Sequence, residues 1–167
     1  GTGKSFVTHA LATAVSGGGG PPGWVLTEPA NTLLITAEDH VAATVRPRIE
    51  AMEANMHRIQ TYDKSFPLNT KGSNILEELI QKSEARLVVI DPIVGFLPDG
   101  LDLHRANEVR PVMAGLSELA QEHQCAIVIV RHLAKGQSGK AIYRGLGSID
   151  FTAACRSVLL VGRDAND

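Results

Sequence analysis

The sequence has few cysteines, few aromatic residues and no long hydrophobic run, and each shortage narrows what the protein can be. Two cysteines stand among 167 residues, and Cys125 and Cys155 lack the spacing of metal ligands. They predict buried, reduced thiols in a cytoplasmic protein. The longest apolar run, around residues 125–130, is far too short to cross a bilayer, so no membrane partner is expected. Aromatic residues make up 4% of the chain, and none stands out as a platform for an adenine base.

The composition also lacks a large excess of either positive or negative charge. The chain carries 16 Lys and Arg against 18 Asp and Glu, a formal net charge of −2. Without a global basic field, any contact with nucleic acid needs a local basic patch. Hydrophobic residues at 44% and charged residues at 20% are typical of a globular core and argue against collagen, coiled coil and disorder. The length predicts a single domain over residues 1–167.

Apolar runs alternate with amphipathic stretches, which predicts an α/β fold with three layers and a mainly parallel sheet. Buried strands are expected at residues 32–37, 86–91, 125–130 and 157–161, with an edge strand at 57–63. Helices are expected at residues 4–16, 41–56 with a restart at Pro47, 74–83, and around 109–120 with Pro111 in the first turn. Loops are expected at residues 17–23 and 92–103, and residues 133–147 are polar and contain several glycines. The apolar face of the first helix is expected to comprise Phe6, Val7, Ala10, Leu11, Ala14 and Val15.

The first five residues, Gly1-Thr2-Gly3-Lys4-Ser5, match the end of the phosphate-binding pattern G-x-x-x-x-G-K-[ST]. A glycine lets the backbone approach phosphate oxygens, and amides at the start of the following helix point at the anion. Lys4 would neutralise the β- and γ-phosphates of ATP, and the Ser5 hydroxyl would bind Mg²⁺. The competing interpretation is a tag remnant or a flexible glycine-rich terminus. The predicted nucleotide-binding set comprises Gly1, Thr2, Gly3, Lys4, Ser5, Phe6 and Asp91.

The first glycine of this motif, and the strand that feeds it, would precede residue 1. We therefore expect a sheet that lacks the strand before the phosphate loop. That strand would lie between residues 125–130 and 157–161, so its loss would leave two unpaired edges. Residues 1–167 alone are expected to bind ATP poorly or not at all.

Three further polar residues stand at the ends of predicted strands. Asp91 ends the run Leu87-Val88-Val89-Ile90, where a second Mg²⁺ group is expected, although a turn Asp before proline is the alternative. Glu38 follows residues 32–37 and could activate water, although it could equally start the next helix. His132 follows residues 125–131 and could sense the γ-phosphate, although a lone histidine is more often structural.

Five segments together resemble the RecA-type ATPases of the RepA hexameric helicase class, found in phage and plasmid replication. They are GTGKS at 1–5, ITAEDH at 35–40, LVVIDP at 87–92, RHLAK at 131–135 and YRGLGSIDFTAACRSVLLV at 143–161. The resemblance implies a RecA-like P-loop core in which Lys4 and Ser5 bind phosphate and Mg²⁺. It further implies that Glu38 is the catalytic carboxylate, Asp91 the second-motif acid and His132 the γ-phosphate sensor.

The same resemblance places an arginine finger at Arg156, with Arg144 as a rival in the same ending. A finger stabilises charge on the transferred phosphate of a neighbouring subunit and is worth about 10³–10⁵ in rate. The sequence departs from the family in one place, because Arg131 stands before His132 where the family often has a second histidine.

Lys135, Lys140 and Arg144 lie in a glycine-bearing segment that lines the DNA channel in RecA-like rings. The resemblance implies a hexameric ring, around which these residues would make a positive funnel for single-stranded DNA. A solvated surface loop is the alternative. The expected function is an ATP-hydrolysing motor of a replication helicase, or a primase-linked ATPase that works with other replication proteins. A nucleotide-dependent regulatory module without unwinding activity, or an inactive fragment, remains open as the alternative.

Overall fold

The computed structural model of the protein describes residues 3–17, 28–132 and 149–162. Its centre is a sheet of four strands in the order β2-β1-β3-β4. The strands are β1 Asn31–Thr36, β2 Ile59–Tyr62, β3 Ala85–Asp91 and β4 Ala126–Ile129. Every pairing is parallel, so all four carboxyl ends lie along one edge of the sheet. The predicted α/β fold with a parallel sheet is confirmed.

Five helices complete the described parts of the chain. They are α1 Lys4–Ser16, α2 Arg46–Ala51, α3 Thr70–Ser83, α4 Ala106–Glu122 and α5 Asp150–Ala153. A π-helical turn at Val41–Val45 leads into α2, and 3₁₀ turns lie at Met56–Arg58 and Ile93–Phe96. Among the residues that the structure describes, no helix combines the length and the apolar character that a bilayer crossing needs.

The two faces of the sheet bury different residues of the same strands, because successive side chains of a strand point to opposite faces. Leu34 and Val89 belong to the core beneath α1 and α2. Leu33 and Val88 belong to a larger core on the opposite face, together with residues of α3, α4 and α5. The helices therefore cover both faces, which gives the predicted three layers.

Helix α1 has the predicted bounds but turns a different face to the sheet. Phe6 and Val7, expected in the core, are 50% and 37% exposed. The buried residues are mostly small or polar, and they are Thr8, His9, Ala12, Thr13, Ala14 and Ser16. Small side chains let the helix axis approach the sheet closely, and Leu11 and Val15 pack at the margin of the contact. The apolar stripe predicted from the sequence was therefore wrong for Phe6 and Val7.

Two helix boundaries differ from the predictions because of local backbone and capping effects. The helix predicted over residues 41–56 ends at Ala51, and Glu53 adopts a left-handed conformation with φ of 61° that stops it. The restart at Pro47 is confirmed, because this proline lies in the first turn of α2, where no backbone donor is lost. Helix α3 begins at Thr70 rather than residue 74, because the Asn69 side chain accepts a hydrogen bond from the Gly72 amide at 3.1 Å.

Helix α4 begins a turn earlier than its apolar spacing indicated. Pro111 therefore lies inside the helix, in its second turn, and its predicted place in the first turn was wrong. The early start is supported by the Glu108 carboxylate, which accepts a hydrogen bond from the Asp102 amide at 2.7 Å. Arg105 adds ion pairs to Asp102 at 3.3 Å and to Glu108 at 3.6 Å.

Residues 157–161 were predicted to form a buried strand, and this prediction was wrong. They pair with no strand of the described sheet, and Val158, Leu159 and Leu160 are 48%, 72% and 59% exposed. Strand β4 pairs only with β3 among the described residues, so its other edge offers unpaired backbone groups. An apolar run becomes a strand only when a neighbour satisfies its backbone, and here the described chain provides none.

Candidate active site

Polar residues follow three adjacent strands at the carboxyl edge of the sheet. Thr36 of β1 pairs with Asp91 of β3, and Ile90 of β3 pairs with Ile129 of β4. Glu38 lies two residues beyond Thr36, and His132 lies two residues beyond Val130, whose amide donates to the Ile90 carbonyl at 2.9 Å. Parallel pairing in this register therefore brings all three strand ends to one place.

Glu38 and His132 meet across the end of the central strand β3. The His132 Nε2 atom lies 3.8 Å from Glu38 Oε2, although their strands β1 and β4 are not neighbours. Both side chains are accessible, at 62% exposure for Glu38 and 46% for His132. An acid and an imidazole that face each other in the open can exchange a proton or share a polar ligand.

Asp91 is the last residue of β3 and is half-buried. Its carbonyl oxygen accepts a hydrogen bond from the Ala37 amide at 3.3 Å, which ties the ends of β1 and β3 together. No side chain within the described residues hydrogen-bonds the Asp91 carboxylate. Within the described part of the chain, therefore, no side chain competes with a ligand for this carboxylate, as suits a group that binds a cation.

The end of the phosphate-binding motif leads directly into α1. Gly3 has φ of 88°, a left-handed conformation that favours glycine, and its carbonyl accepts the Val7 amide at 3.1 Å. Thr8, one turn after Lys4, lines a cavity shared with Asp91. The start of α1 therefore lies at the edge of the sheet that carries Asp91. Gly1 and Thr2 lie outside the described residues.

The donor set at this edge suits magnesium. Mg²⁺ prefers one or two carboxylates together with phosphate oxygens and water, and it tolerates a hydroxyl ligand. Asp91 offers a carboxylate without a described hydrogen bond, and Ser5 offers a hydroxyl at the start of α1. The residues present therefore fit the cation that an ATP site requires.

Asp39 and Arg48 form a pair that the sequence did not reveal. Arg48 Nη1 lies 3.0 Å from Asp39 Oδ2, and the Asp39 amide donates to Thr36 Oγ1 at 3.1 Å. The Arg48 guanidinium also lies 5.0 Å from the centre of the Phe6 ring, in cation–π range. The turn at Val41–Val45 is capped by His40, whose Nδ1 accepts from the Ala43 amide at 3.3 Å. Asp39 thus braces the segment that carries Glu38.

His9 is a second feature that sequence reasoning missed. It is 5% exposed on α1 and shares a small cavity with Asp39 and Asp91. Burial lowers the pKa of His9, the charge of Arg48 lowers it further, and Asp91 and Asp39 partly offset these effects. The sequence signal that could have revealed it is spacing, because His9 lies about one helical turn from small residues of α1 that are also buried.

Arg131 occupies the position where the resemblance suggests a second histidine, and its contacts are structural. Its guanidinium lies 4.4 Å from the centre of the buried Phe151 ring and donates to Thr152 Oγ1 at 3.4 Å. Burial lowers the pKa of Arg131, against the opposing effect of Cys155. The neighbouring Asp150, with a 10% exposed side chain, pairs with Arg110 at 2.7 Å. These contacts fix α5 beside the end of β4.

The structure describes only some of the remaining predicted residues. Arg156 follows α5 and is exposed. Phe6 lies on the open side of α1 rather than in the core. Lys135, Lys140 and Arg144, predicted to contact nucleic acid, lie outside the described residues.

The chain matches a known protein family. A family model described as an AAA domain matches residues 1–138, which is most of the chain. No curated protein matches the chain significantly. The matched range includes the start of α1, Glu38, Asp91 and His132. The chain therefore belongs to the AAA domain family of P-loop ATPases and is an ATPase-type nucleotide-binding module.

Proposed function

We propose that this chain is the RecA-like motor of a RepA-class replication helicase, which hydrolyses ATP and uses the energy to move along DNA. The observation that carries the proposal is the 3.8 Å approach of Glu38 and His132 on either side of the strand that ends in Asp91. This arrangement supplies an acid–base group, a polar contact for a γ-phosphate and a metal-binding carboxylate at one edge. We expect the protein to work in the cytoplasm.

In the proposed reaction a water oxygen attacks the γ-phosphorus of ATP, and the bond to the β–γ bridging oxygen breaks to release ADP. The Glu38 carboxylate orients this water and accepts its proton. Its 62% exposed side chain leaves room for the water and the phosphate.

The other groups hold the triphosphate rather than the water. Lys4 and the amides at the start of α1 balance the phosphate charge, and Ser5 and Asp91 hold Mg²⁺, which supplies further charge neutralisation when bound. His132 donates a hydrogen bond to the γ-phosphate. Because His132 also lies close to Glu38, it can signal to this acid that the phosphate is bound. Loss of the phosphate would then change the surroundings of the catalytic acid directly.

A hexameric ring would complete each site with an arginine from the neighbouring subunit. The exposed position of Arg156 supports its assignment as that finger, with Arg144 as the alternative. Lys135, Lys140 and Arg144 of each subunit would line the channel and bind the phosphates of single-stranded DNA. Primase or other replication proteins would be the further partners.

The experiment that tests this function measures ATP hydrolysis by the full-length protein with and without single-stranded DNA. We expect hydrolysis that DNA stimulates, and we expect Glu38→Gln to lower the turnover about 10²–10⁴-fold. Glu118→Gln, an exposed acid on α4, is the matched control and should hydrolyse ATP like the unmodified protein. Hydrolysis that DNA leaves unchanged would instead favour a regulatory module, and equal activity in Glu38→Gln would overturn the assignment of the catalytic acid.

A further inference from the structure

A small cavity lies between α1 and the carboxyl ends of β1 and β3. Its polar lining comprises Thr8, His9, Thr36, Asp39 and Asp91, together with Thr61 of the edge strand. The cavity has a volume of about 20 Å³. This is enough for a single water molecule and too little for a larger ligand.

His9 is a nearly fully buried polar residue that lines this cavity. Only 5% of the residue is exposed. The Nδ1 atom is inaccessible and has no hydrogen-bond partner within the described residues. Because a water molecule does not reach Nδ1, a water in the cavity can bond His9 only through Nε2, the nitrogen that is not enclosed in this way.

The other polar groups around the cavity keep spare hydrogen-bonding capacity. Thr8 Oγ1 donates to the Ser5 carbonyl at 3.0 Å and can still accept. Asp39 uses Oδ2 for Arg48, which leaves Oδ1 available. The Asp91 carboxylate has no described hydrogen bond at all. A water in this position would find the two to four partners that hold buried waters in place.

The protonation state of His9 suits such a water. Burial and the nearby charge of Arg48 lower the pKa of His9, so the ring is neutral near pH 7. A neutral imidazole has one donor nitrogen and one acceptor nitrogen, so Nε2 can donate to or accept from a water in either tautomer. The water then has a proton or a lone pair left for a carboxylate on the far wall.

We propose that His9 is a positioning residue that holds the Asp91 carboxylate in place through one water bound in this cavity. The inference rests on the proposed role of Asp91 in binding Mg²⁺. His9 would touch neither substrate nor metal, and it would fix the direction in which a metal-binding carboxylate points. Loss of such an outer partner typically weakens metal affinity about 10–100-fold.

The test compares three variants with the unmodified protein. His9→Leu removes the ring nitrogens and keeps an apolar side chain of comparable bulk. His9→Asn keeps an uncharged polar side chain that can bond a water and is the conservative rescue. Thr13→Val is the matched control, because Thr13 is also a buried polar residue of α1 without a described hydrogen bond for Oγ1, yet it does not line the cavity.

The first measurement is Mn²⁺ affinity by electron paramagnetic resonance, with a non-hydrolysable ATP analogue bound. We expect His9→Leu to weaken Mn²⁺ binding at least about tenfold, with His9→Asn and Thr13→Val within about threefold of the unmodified protein. Circular dichroism confirms that each variant is folded. Unchanged Mn²⁺ affinity in folded His9→Leu would overturn the proposal, and so would an equal loss in Thr13→Val.

The second measurement needs neither metal nor nucleotide, so it separates failure of this inference from failure of the proposed function. Imidazole ¹⁵N spectra of the metal-free protein should show His9 as a single neutral tautomer with a cross-peak to bound water. Asp91→Asn should shift these nitrogen resonances, because the two groups share that water. Nitrogen resonances that stay unchanged in Asp91→Asn would overturn the proposed link between His9 and Asp91 through a water, even in a protein that binds Mn²⁺ and ATP normally.

Discussion

Strands β3 and β4 have similar apolar sequences but very different surroundings. Val88 and Ile90 of β3 are 0% and 1% exposed, because β1 and β4 flank the strand and helices cover both faces. No residue of β4 reaches that level of burial, and Leu159 in the apolar run near the end of the chain is 72% exposed. The difference shows that apolar sequence identifies a potential strand, whereas pairing on both edges decides whether it is buried.

The candidate active site draws on both of these regions. Glu38 and Asp91 come from the closed half of the sheet, formed by β1 and β3, where pairing on both edges fixes the backbone. His132 and Arg156 come from the open half, formed by β4 and the segment after α5. We expect the closed half to supply the groups that chemistry depends on most, and the open half to supply groups that modulate it.

The largest expected effect is on the turnover of ATP. It compares a variant of one residue from each half of the sheet. Glu38→Gln should lower the turnover about 10²–10⁴-fold, because it removes the proton acceptor. His132→Asn should lower it only about 10–100-fold, the value of one hydrogen bond to a charged group. Steady-state hydrolysis at saturating ATP and Mg²⁺ measures both.

A larger loss in His132→Asn than in Glu38→Gln would reverse this order and assign the chemistry to the open half. Glu118→Gln on the surface of α4 reports any general effect of removing an acid.

The second prediction concerns stability and uses the burial difference itself. Ile90→Ala should lower the free energy of unfolding by about 2–5 kcal/mol, because it leaves a cavity between packed layers. Leu159→Ala should change it by less than about 0.5 kcal/mol, because the side chain is already in water. Urea denaturation followed by circular dichroism gives both values. A cost for Leu159→Ala that approaches that of Ile90→Ala would show that the open half packs against something in solution.

Much of this architecture could be predicted from the sequence, because the determinants are local. The apolar runs of β1 and β3 and the polar residues directly after them fix where the strands end and what those ends carry. The bounds of α1 follow from its glycines, since Gly3 and Gly17 both adopt left-handed conformations at its ends.

The features that could not be predicted depend on contacts between distant parts of the chain. His9 and the Asp39–Arg48 pair acquire their roles only when α1 and α2 pack on the same face of the sheet. The prediction of the buried face of α1 was wrong because close helix–sheet packing favoured small side chains over Phe6. The strand predicted at residues 157–161 was wrong because a strand needs a neighbouring strand to pair with, and the local sequence does not show whether one is present.

The third prediction uses two helical glycines with opposite surroundings. A Cβ atom at Gly72 in α3 would lie 1.7 Å from the Pro67 carbonyl oxygen, whereas one at Gly115 in α4 would meet nothing within 4 Å. Gly72→Ala should therefore destabilise the protein by about 1–3 kcal/mol through overpacking. Gly115→Ala should stabilise it by about 0.5–1 kcal/mol, because alanine loses less backbone entropy in a helix. Thermal unfolding distinguishes the two signs, and a neutral Gly72→Ala would show that the loop before α3 yields easily.

The smallest expected effect is a pH dependence of stability that originates in the closed half of the sheet. The pKa of buried His9 lies below its ordinary value of 6.5, so the unfolded chain binds a proton more readily than the folded protein does. The stability from a neutral His9 should therefore be complete above about pH 6.5 and decrease as the pH falls through the interval below that value. His9→Gln cannot titrate and should lack this part of the slope in urea unfolding measured across the same interval. The comparison must hold Arg48, Asp39 and Asp91 constant, because the Arg48 charge adds to the lowering of the pKa by burial and the two acids oppose it. An identical pH slope in His9→Gln would mean that the ring takes up its proton as readily in the folded protein as in the unfolded chain, which would contradict the lowered pKa of His9.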